Sequence, residues 1–209
     1  VHCGEMILER LVARHVYIDE IQDTLAQGVI PVVTSSYEEL LEQLHPDVVV
    51  DAILAKKNLG TTRLDAPFVI GVGPGFSAGR DVNVVVETMR GHNLGRCIYD
   101  GEAEPNTGIP GNVGGYTHER VIHSPKAGLF TAKRHIGDEV QANEVIGYVD
   151  EEPVRAKITG TLRGILKTGL IVSDHFKLAD VDARCEESHC YSISDKSLAV
   201  GGGVLEAVT

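Results

Sequence analysis

Two neighbouring lysines and an asparagine directly follow an apolar run, where an α/β protein would place a ligand site. The run covers residues 48–54, and Lys56, Lys57 and Asn58 come after it in the segment DAILAKKNLG. In open parallel sheets, ligands bind in the crevice outside the carboxyl ends of the strands. Two cations at that edge predict a site for a phosphate or a carboxylate. A solvated, lysine-rich loop is the alternative.

A second segment combines three glycines with a preceding apolar strand. Gly71, Gly73 and Gly75 occur in the stretch VIGVGPGF, at residues 69–76. Glycines let backbone amides approach an anion closely, as in phosphate-binding loops. The spacing departs from the dinucleotide fingerprint GxGxxG, so a tight structural turn is the alternative to a phosphate cradle. We place the ligand between this loop and the lysine segment.

Charged and polar side chains also gather after the next apolar run, at residues 83–88. Glu87 lies at the end of this run, and Arg90 and His92 follow it. Arg90 and His92 are candidate ligand contacts. An ion pair among these side chains is the alternative.

The cysteines offer one cluster of soft metal ligands. The chain has four cysteines and no CxxC pair: Cys3, Cys97, Cys185 and Cys190. His189 lies next to Cys190, but a structural zinc site takes two close pairs of ligands and the second pair is missing. We therefore predict no metal site. Cys190 is a weak candidate for a nucleophilic thiolate if His189 or Lys196 lies beside it, and an inert buried cysteine is the alternative.

The elements that would position these groups alternate between strand and helix over residues 1–118. Apolar runs at 29–33, 48–54, 68–72 and 83–88 predict strands. Continuous apolar strands separated by helical pieces are typical of a parallel sheet in an α/β layer. Ser36 stands three residues before Glu39, a capping-box spacing that predicts a helix ending at Pro46. Residues 19–27 predict a short helix, and residues 6–18 fit either a helix or a strand.

An internal repeat decides the fold of residues 119–184. Residues 124–150 align with 156–182 at an offset of 32 without a gap, so that Gly128 meets Gly160 and Val140 meets Val172. Each copy predicts short strands separated by tight turns. Because one copy is too small to bury its own apolar face, we expect the two to combine about a pseudo-twofold axis.

The repeat resembles biotinyl and lipoyl domains, which have the barrel-sandwich hybrid fold, through the phrases SPKAGLF, IGDEV and GTLRGIL. The resemblance implies a small all-β domain. In that family the modified lysine lies on a hairpin near the position of Val149 and Asp150. Here the hairpin holds DEEP at residues 150–153 and no lysine. We therefore expect neither biotin nor lipoate on this chain.

Composition excludes several classes of protein. The 209 residues carry 30 acidic against 19 basic side chains, a formal charge of −11. Proteins that bind nucleic acid or an anionic membrane surface need a basic face, so neither partner is expected. No apolar run approaches the ~18 residues of a membrane-spanning helix.

Four longer segments together resemble one protein family. They are DAILAKKNLGT, VIGVGPGFSAGRDVNVVVET, AEPNTGIPGNVGGY and CYSISDKSLAVGGGVLEAV. These segments are similar to the accessory-protein family of the selenium-dependent molybdenum hydroxylases, over nearly the whole chain. The resemblance implies a cytoplasmic factor that helps to mature molybdenum hydroxylases, with a Rossmann-like α/β part joined to a barrel-sandwich part.

The same resemblance bears on both ends of the chain. Family members carry a Gly-rich strand, loop and helix ahead of the position of Val1, so we expect the α/β domain to lack its first strand and that loop. At the other end, we expect residues 185–209 to pack back on the α/β part. Gly201–Gly203 would allow the close backbone contact that this packing requires.

Two classes of function follow. The first is a maturation factor that binds an anionic cofactor precursor, such as a nucleotide or a molybdopterin-type ligand, or binds the hydroxylase itself. The second is an enzyme of cofactor maturation that transfers sulfur or selenium through a cysteine. That chemistry requires a thiol with a depressed pKa beside a base or a cation. Cys190 and Cys3 are the candidates for such a thiol.

Overall fold

The structure, a computed structural model, describes residues 4–209 and is a mixed α/β protein built mostly of strands. It divides into two compact units. The first contains the described residues up to Thr107 together with Ile193–Thr209, and the second is Gly108–Ser192. The division falls between residues 107 and 108, whereas the sequence analysis placed a boundary near residue 118. Residues 185–192 belong to the second unit, so only the last 17 residues of the chain, 193–209, return to the first.

The first unit begins with a small three-stranded sheet. Its strands are β1 (Glu5–Leu8), β2 (Leu11–His15) and β3 (Ile30–Val32), and helix α1 (Ile21–Ala26) lies between β2 and β3. Strands β1 and β2 form an antiparallel hairpin, and β3 pairs parallel to β2. The ambiguous start of the chain is therefore a hairpin. The expectation that residues 29–33 join the same layer as the later apolar strands is wrong, because β3 pairs in this separate sheet.

A second sheet holds the buried strands of this unit. Helix α2 (Tyr37–Leu44) leads into β4 (Val48–Asp51), followed by β5 (Phe68–Val72), β6 (Ser77–Ala78), β7 (Val84–Val86), β8 (Cys97–Ile98) and β9 (Gly101–Glu102). Strands β4, β5 and β7 are parallel, and β8 adds antiparallel to β7. Strands β6 and β9 pair with each other. The side chains of Val69, Ile70, Val84, Val85 and Val86 are fully buried, as the apolar runs predict.

Helix α2 begins where the capping spacing predicts. The Ser36 hydroxyl accepts a hydrogen bond from the Glu39 amide at 3.2 Å, and the helix ends at His45 in a left-handed conformation before Pro46. No helix joins β4 to β5 or β5 to β7, contrary to the expected alternation. The connection at 73–83 contains three glycines and a proline, which do not support a helix. The connection at 52–67 is longer and contains only Gly60 and Pro67.

The chain ends in helix α3 (Asp195–Val208), which packs on β5, β7 and β8. Gly203 makes this packing possible: a Cβ at this position would lie 2.1 Å from the Gly95 carbonyl oxygen. Gly201 and Gly202 have no neighbour within 4 Å of such a Cβ. The close contact expected of the three glycines is therefore made by Gly203 alone.

The second unit consists of two four-stranded antiparallel sheets. Its strands are β10 (Val121–His123), β11 (Gly128–Ala132), β12 (Glu139–Val140), β13 (Val145–Val149), β14 (Glu152–Arg155), β15 (Gly160–Ile165), β16 (Leu170–Val172) and β17 (Lys177–Asp182). The strand orders are β10-β17-β15-β12 and β14-β13-β11-β16. Phe130, Ile146 and Leu162 are fully buried in the core that the two sheets share.

Strand pairing in this unit follows the sequence repeat. Val140 of the first copy pairs with Gly160 of the second, and Val172 of the second copy pairs with Gly128 of the first. Each pair becomes the other when 32 is added to one residue number and subtracted from the other. The two copies therefore exchange strands, which is how two halves that are too small to fold alone share one core.

Candidate functional site

The lysine segment and the glycine loop meet at the carboxyl edge of the parallel sheet. Strands β4 and β5 run side by side in the same direction, so the segments that follow Asp51 and Val72 leave the sheet at one edge. Gly75 lies directly on the backbone of Lys57, and a Cβ added to it would be 2.5 Å from the Lys57 Cα atom. The two predicted site segments are thus in contact through their main chains.

A polar cavity of about 470 Å³ opens where these segments meet. Its wall is formed by Lys56, Pro74, Gly75, Glu102, Ala103, Glu104, Pro105 and Asn106. Lys56 itself has a left-handed backbone, with φ of 62°. Lys56 is the only basic residue on this wall, and two glutamates share the wall with it. Any further positive charge at this edge of the sheet must therefore come from residues outside the cavity wall.

The three glycines have different roles. Gly71 lies within β5, and a Cβ there would be 2.5 Å from the Phe76 ring. The Gly73 amide donates a hydrogen bond to the Val86 carbonyl at 2.9 Å, and its Cα faces the Thr88 side chain. Only Gly75 lies on the cavity wall. Close packing accounts for Gly71 and Gly73, and anion binding by the amides of this loop stays a prediction.

Asn58 shapes the lysine loop from within. Its carbonyl oxygen accepts a hydrogen bond from the Gly60 amide, and its amide group donates to the Thr61 carbonyl, both at 2.8 Å. The Thr61 hydroxyl in turn donates to the buried Asp51 carboxylate at 2.6 Å. Asn58 therefore holds the conformation of the loop that carries Lys56 and Lys57.

Glu87 follows β7 and is almost completely buried, and its carboxylate accepts hydrogen bonds from backbone amides. Its Oε1 atom accepts hydrogen bonds from the Thr88 and Met89 amides at 2.7 and 2.6 Å, and its Oε2 atom accepts one from the Glu104 amide at 2.8 Å. Three amide donors stabilise a buried carboxylate without a cation. Glu87 thus ties two loops of the edge together.

Arg90 pairs with α3. Its guanidinium donates two hydrogen bonds to Asp195, at 2.6 and 2.9 Å. Arg90 thus forms an ion pair, and this partner lies 105 residues away along the chain, outside the segment considered from the sequence. His92 is exposed, and its side chain has no hydrogen bond or ion pair among residues 4–209. Arg90 lies close enough to Lys196 for its charge to act on it, and no hydrogen bond or ion pair of the described residues links His92 to them.

Lys196 also lies at this edge, although no motif in the sequence predicted it as a site residue. It follows Asp195 in the first turn of α3 and is half-buried. Burial lowers its pKa, the positive charges of Arg90 and Lys56 lower it further, and the Glu87 carboxylate acts in the opposite direction. A lysine in the first turn of a helix opposes the helix dipole. That unfavourable placement, within a strongly acidic chain, is the signal that could have identified Lys196.

Cys190 lies in the second unit, and its surroundings disfavour a thiolate. Its Sγ atom is 3.8 Å from the Leu162 carbonyl oxygen, and burial raises the pKa of the thiol. The neighbouring His189 is 4.0 Å from Asp182 rather than bonded to the thiol. Cys3 lies outside the described residues. Within the described part of the chain, no three His, Cys, Asp or Glu side chains are grouped to hold a metal ion.

Within residues 4–209, none of the helices has both the length and the apolar character needed to cross a membrane.

Comparison with known proteins gives one close relative in sequence. No family model matches the chain. The chain is 47% identical over 206 residues to the uncharacterized protein YqeB of Escherichia coli K12. The alignment covers 98% of this chain and 38% of YqeB, so the chain spans little more than a third of the length of this relative.

Solved structures with distant similarity to this chain include the following two proteins. An aspartoacylase family protein of Mesorhizobium loti has a TM-score of 0.29 and 21% identity, over 31% of this chain and 23% of that protein. The ectoine utilization protein EutE of Ruegeria pomeroyi has a TM-score of 0.28 and 13% identity, over 78% of this chain and 61% of that protein. Neither likeness is close enough to inform the fold or the function.

Proposed function

We propose that this chain belongs to a cytoplasmic accessory factor for selenium-dependent molybdenum hydroxylases, and that its first unit binds an anionic cofactor precursor or a nucleotide. The first part of the proposal rests on the resemblance of the sequence, and the observation that carries the anion-binding part is the meeting of the lysine segment and the Pro74–Gly75 turn at the carboxyl edge of the sheet. Arg90 and Lys196 add positive charge at the same edge. Ligands of open α/β sheets bind at this position.

We also infer a specific fold for each of the two units. We propose that the first unit is a Rossmann-like domain, supported by its three parallel strands and by the placement of the candidate site beyond their carboxyl ends. The second unit would be a barrel-sandwich hybrid, supported by the exchange of strands between two copies at an offset of 32. In this fold the tip of the β13–β14 hairpin is Asp150 and Glu151.

Asp150 stabilises the conformation of that tip. Its carboxylate accepts a hydrogen bond from the Leu129 amide at 2.9 Å and pairs with Lys126 at 3.1 Å. A carrier domain would present an acceptor lysine at the tip, and this hairpin presents a carboxylate that is bonded to its own domain. We therefore propose that the second unit supports the factor as a protein module and carries no attached cofactor.

Sulfur or selenium transfer through Cys190 is not proposed. Nucleophilic cysteines have a lowered pKa beside a cation or a general base. Burial raises the pKa of Cys190 instead.

The proposal is tested by native mass spectrometry of the purified chain, followed by titration with nucleotides and pterin phosphates. We expect an anionic small molecule to remain bound or to bind on addition. Lys56→Gln should weaken that binding about tenfold or more, since a charge-assisted hydrogen bond is lost. Lys133→Gln is the matched control, because Lys133 is exposed in the second unit. Failure of every anion to bind would contradict the proposal, as would equal binding by the two variants.

A further inference from the structure

Lys196 differs from the other lysines of the candidate site in its surroundings. Its side chain is half-buried in the first turn of α3, whereas Lys56 and Lys57 are exposed. Among residues 4–209, no carboxylate lies within 4.0 Å of its ammonium group, and no acceptor lies within hydrogen-bond distance of it. Charged groups that are withdrawn from water are normally paired, because desolvation is costly. Lys196 therefore lacks the partner that its burial calls for.

The acidic groups nearest to Lys196 are engaged with other donors. Glu87 accepts hydrogen bonds from three backbone amides. Asp195 accepts two hydrogen bonds from Arg90. Arg90 and Lys56 contribute further positive charge around the ammonium group. An external anion at this position would relieve the repulsion among these cations and supply the missing partner.

Helix α3 cannot easily withdraw Lys196 from this position. Gly203 is packed against the Gly95 carbonyl, and the Cys97 thiol donates a hydrogen bond to the Gly203 carbonyl at 3.1 Å. The bidentate contact between Arg90 and Asp195 fixes the start of the helix. The helix that carries Lys196 is thus fixed before a ligand arrives, which reduces the entropic cost of binding.

We propose that Lys196 is the residue that binds the anionic group of the ligand, and that this group is a phosphate. The inference deepens the proposed function and rests on it. A phosphate presents oxygens in several directions, so lysines from two different elements, the β4–β5 loop and α3, can donate to it together. Lysine binds phosphate as a point charge, and the first turn of α3 adds the positive end of the helix dipole.

The test is the affinity of the whole chain for inorganic phosphate, measured by isothermal titration calorimetry at low ionic strength and pH 7. We expect Lys196→Gln to weaken binding tenfold or more, as expected for loss of a charge-assisted contact. Lys196→Arg should keep most of the affinity, and Lys133→Gln should stay within twofold of the parent. Adenosine monophosphate and a pterin phosphate are further arms, and the one that binds tighter than inorganic phosphate identifies the source of the phosphate group.

A second measurement uses the unmodified protein and does not depend on the folding of a variant. Limited acetylation of lysines, with and without inorganic phosphate, is followed by peptide mass spectrometry. Phosphate should slow the labelling of Lys196 several-fold and leave Lys133 unchanged. Equal labelling of Lys196 in both conditions would overturn the inference.

The outcomes separate the two proposals. If the parent chain binds phosphate, Lys196→Gln binds it equally well and Lys56→Gln does not, then the role of Lys196 is wrong and the anion site stands. If the parent chain binds no phosphate, nucleotide or pterin phosphate, the anion site and the role of Lys196 both fall.

Discussion

Replacing Gly203 by alanine tests whether α3 is held against the sheet by the contact described above. The added Cβ would lie 2.1 Å from the Gly95 carbonyl oxygen and 2.9 Å from a methyl group of Val86. A backbone carbonyl and a buried strand residue cannot move aside cheaply, and overpacking of this kind costs ~1–3 kcal/mol. Gly202→Ala is the matched control, because a Cβ at Gly202 meets no atom within 4 Å.

Both substitutions carry the same gain in helix propensity, ~1 kcal/mol for glycine to alanine within a helix. Gly202→Ala should therefore stabilise the first unit by about that amount. The difference between the two variants isolates the steric cost, so Gly203→Ala should be about 1–3 kcal/mol less stable than Gly202→Ala. Unlike a comparison with the parent chain alone, this difference does not depend on the exact propensity scale.

The assay is urea denaturation followed by far-UV circular dichroism and by tyrosine fluorescence, since the chain contains no tryptophan. Free energies are compared by linear extrapolation, which requires equal slopes for the two variants. If Gly203→Ala is as stable as Gly202→Ala, α3 does not pack on Gly95. The fixed position of Lys196 would then lose its support.

Three further predictions address buried charges and thiols. Glu87→Gln should lower the free energy of unfolding by about 2–3 kcal/mol, because it replaces a carboxylate bonded to three amides; urea denaturation should show little change for the exposed Glu102→Gln. Hydrogen bonds from Arg184 lower the pKa of Asp182 to about 2, so the stability that this carboxylate adds is complete above about pH 4 and is lost as the pH falls to 2. Stability measured from pH 5 to 2 should thus fall by about 2 kcal/mol more in the parent than in Asp182→Asn, and parallel curves would contradict this reasoning. Burial raises the pKa of Cys97 and Cys190, so alkylation of the folded protein should reveal neither thiol titrating below ~8.5, and a more acidic Cys190 would revive the thiol-transfer hypothesis.

Local sequence signals were sufficient to predict several elements. The apolar runs at 68–72 and 83–88 contain the parallel strands Phe68–Val72 and Val84–Val86, whose side chains are buried on both faces and are therefore apolar throughout. The run at 48–54 contains the parallel strand Val48–Asp51 at the edge of the sheet, where Val48 and Val50 are exposed. The capping serine of α2 also acts locally, within one turn of the helix. The offset of 32 predicted equivalent positions for Gly128 and Gly160. Each of these glycines is the first residue of a strand and pairs with a valine of the other copy.

The remaining features depend on contacts between distant parts of the chain. Strand β3 has the composition of its expected neighbours, but the hairpin before it supplies its partner. The glycines at 71, 73 and 75 look alike in the sequence, and only their neighbours show that two of them pack against side chains while the third borders a cavity. The partner of Arg90 lies in α3, beyond the whole second unit in sequence. Spacing along the chain contains no information about these pairings.

The arrangement of acids and bases at the carboxyl edge explains why the lysines are available to a ligand. Glu87 lies close enough to influence Lys196, but three backbone amides share its negative charge. Asp195 pairs with Arg90, which fixes the start of α3 and removes the other nearby carboxylate from competition. Had either acid bonded to Lys196, the edge would hold a closed ion pair and no site for an anion. Because neither does, the positive charge of Lys196 and Lys56 remains without a partner among the described residues, and it is this charge that a phosphate would neutralise.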